Sequence, residues 1–429
     1  MKRLNSYQAS STRTLRIISP EYPVIPKICS EPDTDLLICL SHLRWNFVYQ
    51  RPQHLMSRFA RAFTTVFLEE PLIEAVEEPR FDLRCDPSGI TIAVPILPER
   101  NDEAQRTAAQ RKLLDGLVAA HGSKRLSLWY YTPMALLFSR HLRSRLCVYD
   151  CMDELTGFRF APPALRQTED ELFARADLVF TGGQSLYEAK RRRHPSVHAF
   201  PSSVDVDHFR RGRLRLPEPP DQAPLPRPRL GFFGVVDERM DLDLVRGVAA
   251  ARPDWQLVMV GPVVKIDPAS LPRGPNIHWL GGKSYAELPD YLAGWDVALM
   301  PFALNEATRF ISPTKTLEYL AAAKPVVSTS ILDVVQPYGE GNLVAITEGA
   351  HGFVAAAERL LGRGDPPDWL ARVDDHLGGL SWNRTWEGMI ALMQEALDHR
   401  PAGRTQSHAA NLVNSAFAGR GGAQGSDHV

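Results

Sequence analysis

The chain has 429 residues, 44% hydrophobic and 23% charged, with 49 Lys and Arg against 50 Asp and Glu. At about 150 residues per domain that length calls for more than one core, and the composition is that of an ordinary globular protein. The near-zero charge balance argues against a dedicated nucleic-acid binder. The five cysteines, at 29, 39, 85, 147 and 151, form no CxxC pair and no disulfide framework, and their odd number fits reduced thiols in a cytoplasm. The opening MKRLNSYQASSTRTLRIISPEYPVIPK has no continuous apolar segment of the signal-peptide kind, and no run of about 18 apolar residues is present to span a membrane. The expected location is cytoplasmic.

Residues 1–33 are polar with scattered prolines and read as a flexible segment. From residue 34 the pattern becomes regular. DLLICLS (35–41) is the short apolar run of a strand buried on both faces. QRPQHLMSRFARAF (50–63) follows with helical spacing. TTVFLEE, ITIAVPIL, LSLWYYTP, LCVYDC and DLVFTGG read as further strands, separated by helical AQRTAAQRKLLDGLVAAHG, LRQTEDELFARA and SLYEAKRRR. Strands alternating with helices imply a parallel sheet with crossovers, here over 34–204. The Pro- and Arg-rich stretch 205–228 has no apolar period and reads as a linker. A second alternating series fills 229–380, through RLGFFGVV, QLVMVGPV, NIHWLGG, DVALMPF and KPVVSTS. An amphipathic helix, SWNRTWEGMIALMQEAL, is expected over 381–400, packing back across the domains, and 401–429 reads as a disordered tail. Two α/β domains of this kind face each other across a cleft, and ligands sit beyond the carboxyl ends of the strands.

The stretch ISPTKTLEYL (311–320) places Lys315 in the first turn of a helix, the end that carries about +0.5 of an elementary charge. Ser312 is suited to cap this helix and Pro313 to its first position, which leaves the N–H groups of Thr314 and Lys315 directed outward. Anions favour that spot. Glu318, one turn on, can accept two hydrogen bonds from a vicinal diol such as ribose. Together they suit a nucleoside diphosphate. The alternative is a solvated Lys315–Glu318 pair worth about 0.2–0.5 kcal/mol. Four loops at strand ends can line the same cleft and supply Gly234 and Arg239, Gly261, Gly282 with Lys283 and Tyr285, and Asn305 with Thr308.

The succession VDVDHF, a Gly-bearing turn followed by a basic residue, VGP, LGGKSYAELPDYLAGWDVALMPF and SPTKTLEYLAAAKPVVST resembles the nucleotide-sugar-binding domain of GT-B glycosyltransferases of the family 1 and family 4 type. In the N-terminal half, SHLRWNFVYQRPQHLMSRF, LWYYTPMA and VYDCMDELTGF resemble a bacterial subgroup used in cell-surface polysaccharide synthesis, of the teichuronic acid glycosyltransferase type. The resemblance spans about 35–398. It implies a metal-independent hexosyltransferase with two Rossmann-like domains, no cofactor, a UDP-sugar donor and a glycan or lipid-linked acceptor. Many retaining members carry Glu-x7-Glu. Glu318 matches the second glutamate, while the first position holds Phe310, so the sugar contact must come from elsewhere, with Asn305 and Thr308 as candidates.

Transfer requires charge neutralisation on the departing diphosphate, and an inverting enzyme also requires a base. Arg239, Lys315 and helix N–H groups can replace a metal. The Asp pairs at 205/207 and 241/243 read as linker and helix start. Asp153, then Glu154, in YDCMDELTGF, is the candidate base; the alternative is helix capping or pairing with arginine. His42 is a further cleft candidate or a loop histidine, and Arg51 and Gln53 are expected on the acceptor side. Trp45, Trp129 and Tyr131 suit either sugar stacking or the core. The basic runs AKRRRH (189–194) and SRHLRSRL (139–146) suit either anionic lipid on the inner face of the membrane or a solvated surface. A nucleotide-sugar epimerase and a non-catalytic nucleotide-sugar-binding protein remain as alternatives on the same fold.

Overall fold

The computed structural model describes residues 34–159, 161–363 and 367–399. The flexible segment expected over 1–33 and the tail expected over 401–429 lie outside them. The chain divides into two compact units, residues 1–47 with 56–145, and residues 48–55 with 146–429.

The first unit contains β1 (Leu36–Leu40), β2 (Thr64–Leu68), β3 (Leu72–Glu74), β4 (Arg80–Cys85), β5 (Thr91–Pro98) and β6 (Leu126–Tyr130). They run in the order β3-β5-β2-β1-β6, parallel, with β4 antiparallel on β5. Strands β1, β2 and β6 are buried along their whole length, which is why each is nearly all apolar. Strand β4 escaped the pattern search. It is a half-exposed edge, RFDLRC, whose alternate positions are charged, and it returns to β5 through a turn in which Asp86 accepts from the Ser88 N–H at 2.9 Å. Cys85 on this edge is disulfide-bonded, which corrects the expectation of five reduced thiols, whereas Cys39, Cys147 and Cys151 are buried thiols outside any disulfide.

The second unit contains β7 (Leu146–Cys151), β8 (Leu178–Thr181) and β9 (Val197–Ala199), parallel in that order. It also contains a six-stranded parallel sheet of β10 (Arg229–Phe233), β11 (Gln256–Val260), β12 (Ile277–Gly281), β13 (Val297–Met300), β14 (Val326–Ser328) and β15 (Ala345–Ile346). The order β12-β11-β10-β13-β14-β15 reverses direction at β10. Such a switch point opens a crevice at the carboxyl ends of the strands, between the loops that leave to opposite faces. Both Asp205 and Asp241 are helix caps, accepting from the N–H groups of His208 and Leu244.

The stretch 205–228 is built rather than loose. It holds a helix over Val206–Arg210, and Arg213 forks onto Asp374 at 2.7 and 3.0 Å. Gln222, fully buried, donates to the Tyr291 carbonyl at 3.1 Å and accepts from the Trp295 indole at 2.9 Å. Polar anchors of this kind leave no apolar period to read. The last helix, Trp382–Asp398, lies against β7 and β8, with Trp382 stacked on His54 at 4.5 Å. Among the described residues no helix is long and apolar enough to cross a membrane.

Trp295 lies flat against Gly231 in β10, where a Cβ would come within 2.0 Å of the indole. Gly231→Ala is therefore expected to destabilise the fold by about 1–3 kcal/mol through overpacking, read as a lower urea midpoint at unchanged slope.

Candidate active site

The site assembles where β10 and β11 end. Gly234 (φ +139) and Gly261 (φ +145) follow these strands in backbone conformations that side chains strain to adopt. A Cβ at Gly261 would lie 1.8 Å from the Gly234 carbonyl oxygen, and one at Gly234 would lie 2.9 Å from Lys315 Cε. The two strand ends thus close directly beneath Lys315.

Lys315 belongs to the helix Thr314–Ala321, which buried Tyr319 ties to β10 by accepting from the Phe233 N–H at 2.9 Å. Its ammonium stands 5.5 Å from the Phe232 ring centroid and 5.3 Å from that of Phe302. Among the described residues no carboxylate is within ion-pair distance of it. The first N–H groups of the helix have no intrahelical acceptor. Burial, and then Arg239, hold the Lys315 ammonium below the usual lysine range, while burial raises the Glu318 carboxyl. A helix start with a desolvated lysine and N–H groups lacking intrahelical acceptors has the chemistry that suits an anion.

Arg239 grips Asp237 in a two-point fork, Nε to Oδ1 at 2.9 Å and Nη2 to Oδ2 at 2.7 Å, and Asp237 is buried. The loop is fixed by the Ala303 N–H donating to the Arg239 carbonyl at 2.9 Å.

Three carboxylates leave β7 in Asp150-Cys151-Met152-Asp153-Glu154. Asp150, fully buried, takes a two-point fork from Arg51 at 2.8 and 3.0 Å. Glu154 sits 2.6 Å from Lys190 and accepts from Thr156; burial raises its carboxyl, and these partners bring it below the usual range. Asp153 alone of the three has no hydrogen bond or ion pair to its carboxylate among the described residues. Burial raises it, against the pull of Arg239. Asp153, Asp237, Arg239 and Glu318 all act on the charge of Lys315, so they share one electrostatic neighbourhood.

Residues 227–363 match the family model of glycosyl transferases group 1. The Bacillus subtilis (strain 168) protein named "Putative teichuronic acid biosynthesis glycosyltransferase TuaH" is 28% identical over 276 residues, 58% of this chain and 68% of that protein. The chain is thus similar to group 1 glycosyltransferases over residues 227–363, and its fold is GT-B. Solved structures share that fold at low identity. The E. coli structure described as trehalose-6-phosphate bound with UDP-2-fluoro glucose superposes with a TM-score of 0.63 at 12% identity, over 86% of this chain and 100% of that one. Sucrose-phosphate synthase from Thermosynechococcus elongatus gives 0.60 at 13%, over 85% and 100%. Anabaena Alr3699/HepE in complex with UDP gives 0.57 at 12%, over 84% and 100%.

In this chain the expected site residues separate into groups. Gly234, Gly261, Arg239, Lys315 and Glu318 come together, with Asp153. Ser312 does not cap the helix: Pro313, at ψ 118, takes the cap position without a side-chain bond, Thr314 opens the helix, and Ser312 stands one residue outside. Arg51 and Gln53 are each 1% exposed, so neither meets an acceptor; Arg51 is taken by Asp150, and Gln53 accepts from the Gln50 N–H at 3.0 Å. Thr308 is buried, donating to the Ala303 carbonyl and bonding reciprocally with Asn305, whose amide reaches the Glu238 carbonyl, so both close the 303–308 loop. Lys283 is tied to Asp221 at 2.6 Å beside exposed Gly282. Tyr285 stacks on His208 at 4.4 Å. His42 lies half-buried in the turn after β1, in the other unit. Trp45, Trp129 and Tyr131 are core. In the basic run 189–194, Lys190 and Arg193 pair with Glu169, and the Arg191 guanidinium sits 2.6 Å from Glu188.

Two participants were missed. Asp237 lies two residues before Arg239 and neutralises it, a pairing that the spacing alone leaves invisible. Lys265 stands over the Phe158 ring at 5.5 Å, a ring that Arg239 also approaches at 5.7 Å, from a left-handed backbone (φ 61) that local patterning does not announce. Among the described residues no group of three or more His, Cys, Asp or Glu is placed to hold a metal ion.

Arg51→Met leaves Asp150 buried and unpaired. The variant is expected to lose about 3–5 kcal/mol of stability, and Arg51→Met with Asp150→Leu to recover most of it, both read by chemical denaturation.

Proposed function

We propose that this glycosyltransferase moves a sugar from UDP to a hydroxyl of a glycan or lipid-linked acceptor in cell-envelope polysaccharide synthesis, with Asp153 as the base. The observation that carries it is the unpartnered Asp153 carboxylate beside Arg239 and Lys315, when both acidic neighbours in the segment are held by buried cations. The UDP donor is supported by structural neighbours bound with UDP-2-fluoro glucose and with UDP, and the polysaccharide context by the name of the Bacillus relative.

In this reading the diphosphate sits at the start of the helix Thr314–Ala321, against Lys315 and the free N–H groups, and Glu318 takes the ribose hydroxyls. As the bond from the anomeric carbon to the phosphate oxygen breaks, the leaving UDP gains negative charge, which Lys315 and Arg239 stabilise. Asp153 accepts the acceptor's hydroxyl proton as its oxygen bonds to the anomeric carbon. A base of this kind belongs to inverting transfer. Phe310 supports the same outcome, since no acidic group stands where a retaining relative has its first glutamate. Lys315, Arg239 and the helix start supply the positive charge without a metal, so turnover is expected to survive chelation.

Lys315→Met and Glu318→Gln should each weaken UDP binding about tenfold or more in calorimetry. Unchanged affinity for both would sink the donor site. Because Lys315 is held below the usual lysine range, an arriving diphosphate restores its proton. UDP affinity should therefore fall as pH rises through the lowered Lys315 value, a slope that Lys315→Met abolishes.

Asp153→Asn should cut kcat about 100-fold or more with UDP affinity kept. A raised carboxylate is lost as base when pH falls through its value, so kcat/KM should drop on an acid limb above the ordinary carboxylate range. The anomeric configuration of the first-formed product, read by NMR, should be opposite to that of the donor.

A further inference from the structure

Beneath the Asp153 turn lies a buried polar cluster that the chemistry above does not use. Lys190, 5% exposed, reaches from the helix Gln184–Lys190 to both oxygens of Glu169 at 3.1 Å and to Glu154 at 2.6 Å. Glu169 is buried as well, and also accepts from Tyr149 at 3.0 Å and from Arg193 at 2.6 Å. The charges cancel, Lys190 and Arg193 against Glu154 and Glu169. Desolvating such a cluster can outweigh what its attractions return, so stability is a poor account of it, and fixing a geometry is a better one.

The cluster grips the reacting segment at Glu154, directly after Asp153. The Leu155 N–H closes on the Asp153 carbonyl at 3.1 Å and the Gly157 N–H on the Glu154 carbonyl at 3.0 Å, so an anchored Glu154 side chain also fixes the peptide that carries Asp153. The other end of the segment is anchored by Arg51 on Asp150. Asp153 is therefore an unbonded carboxylate held between two clamped neighbours.

We propose that Lys190 is a positioning residue for sugar transfer: through Glu154 it holds the Asp153 carboxylate in the orientation at which it takes the acceptor's proton. This rests on the assignment of Asp153 as base.

The test is the double variant Lys190→Met with Glu154→Gln, which keeps the buried charge balanced and the Glu169–Arg193 pair intact, beside Lys190→Arg and Asp153→Asn. Turnover is read as UDP release from whichever of UDP-glucose, UDP-galactose, UDP-N-acetylglucosamine and UDP-glucuronic acid the wild type consumes fastest. The double variant should keep its cooperative melt and bind UDP within about twofold of wild type, while kcat falls about tenfold or more. Its acid limb should move to lower pH, because a loosened Asp153 becomes hydrated and loses the burial that raises it. Amide exchange at Leu155 and Gly157 should quicken about tenfold or more, and Lys190→Arg should restore part of each effect. A folded double variant with wild-type kcat and pH profile, or with unchanged exchange at those amides, overturns the positioning role. Wild-type turnover in Asp153→Asn overturns the base assignment and this proposal with it. Loss in Asp153→Asn beside an unaffected double variant overturns the positioning role alone.

Discussion

Lys315 is a cation at the positive end of a helix with no carboxylate within ion-pair distance among the described residues, and much of the second unit's local structure preserves that condition. Gly234 and Gly261 remove the side chains that would crowd it. Phe232 and Phe302 offer it ring faces, which attract a cation without neutralising it. Arg239, whose charge acts on Lys315, is already balanced by Asp237 in a two-point fork. What remains is a lysine charge that no ion pair neutralises, in the first turn of a helix, at the sheet position where the strand order reverses. Charge left over in a partly desolvated place acts more strongly than the same charge in water.

The same accounting separates the acidic residues. The segment after β7 carries three carboxylates within five residues, and their fates diverge through contacts far away in the chain. Asp150 is matched by an arginine 99 residues earlier, and Glu154 by a lysine on the helix after β8. Neutralised carboxylates are poor proton acceptors, so pairing removes two of three candidates and leaves Asp153. Its raised affinity for a proton follows from burial, and Arg239 keeps the rise in check.

How far the residues alone led follows from the range of the interactions involved. Parallel strands announce themselves because burial on both faces forces apolar runs, and Lys315 with Glu318 could be paired because helical spacing is local. The edge strand β4 and the built stretch 205–228 were missed because exposure and polar anchors erase periodicity. Arg51 and Gln53 looked like ligands because a polar residue at a helix start says nothing of a partner on a distant strand. Ser312 was misplaced by one residue because Pro313 serves equally as cap or first position, and only its extended ψ decides between them. The residues alone place Asp153 ahead of Glu154 without a physical ground, which comes only from Lys190, buried on another helix and paired with Glu154.

The sugar end of the site is where this chain parts from retaining relatives, and the structure narrows what that departure means. Phe310 stands under the Arg309 guanidinium at 5.2 Å, so an aromatic face replaces a carboxylate. Neither Asn305 nor Thr308 makes up the loss, since both close their own loop. A retaining reaction on this fold places positive charge development next to the departing diphosphate, and an acidic neighbour helps to hold the sugar there. Without that neighbour, a base on the opposite face carries more of the work, because it strengthens the nucleophile as the bond to phosphate lengthens. In the proposed reading the unpartnered Asp153 and the phenylalanine at 310 are therefore two sides of one arrangement: the acidic group stands at the strand end beyond β7 rather than in the loop before the helix Thr314–Ala321.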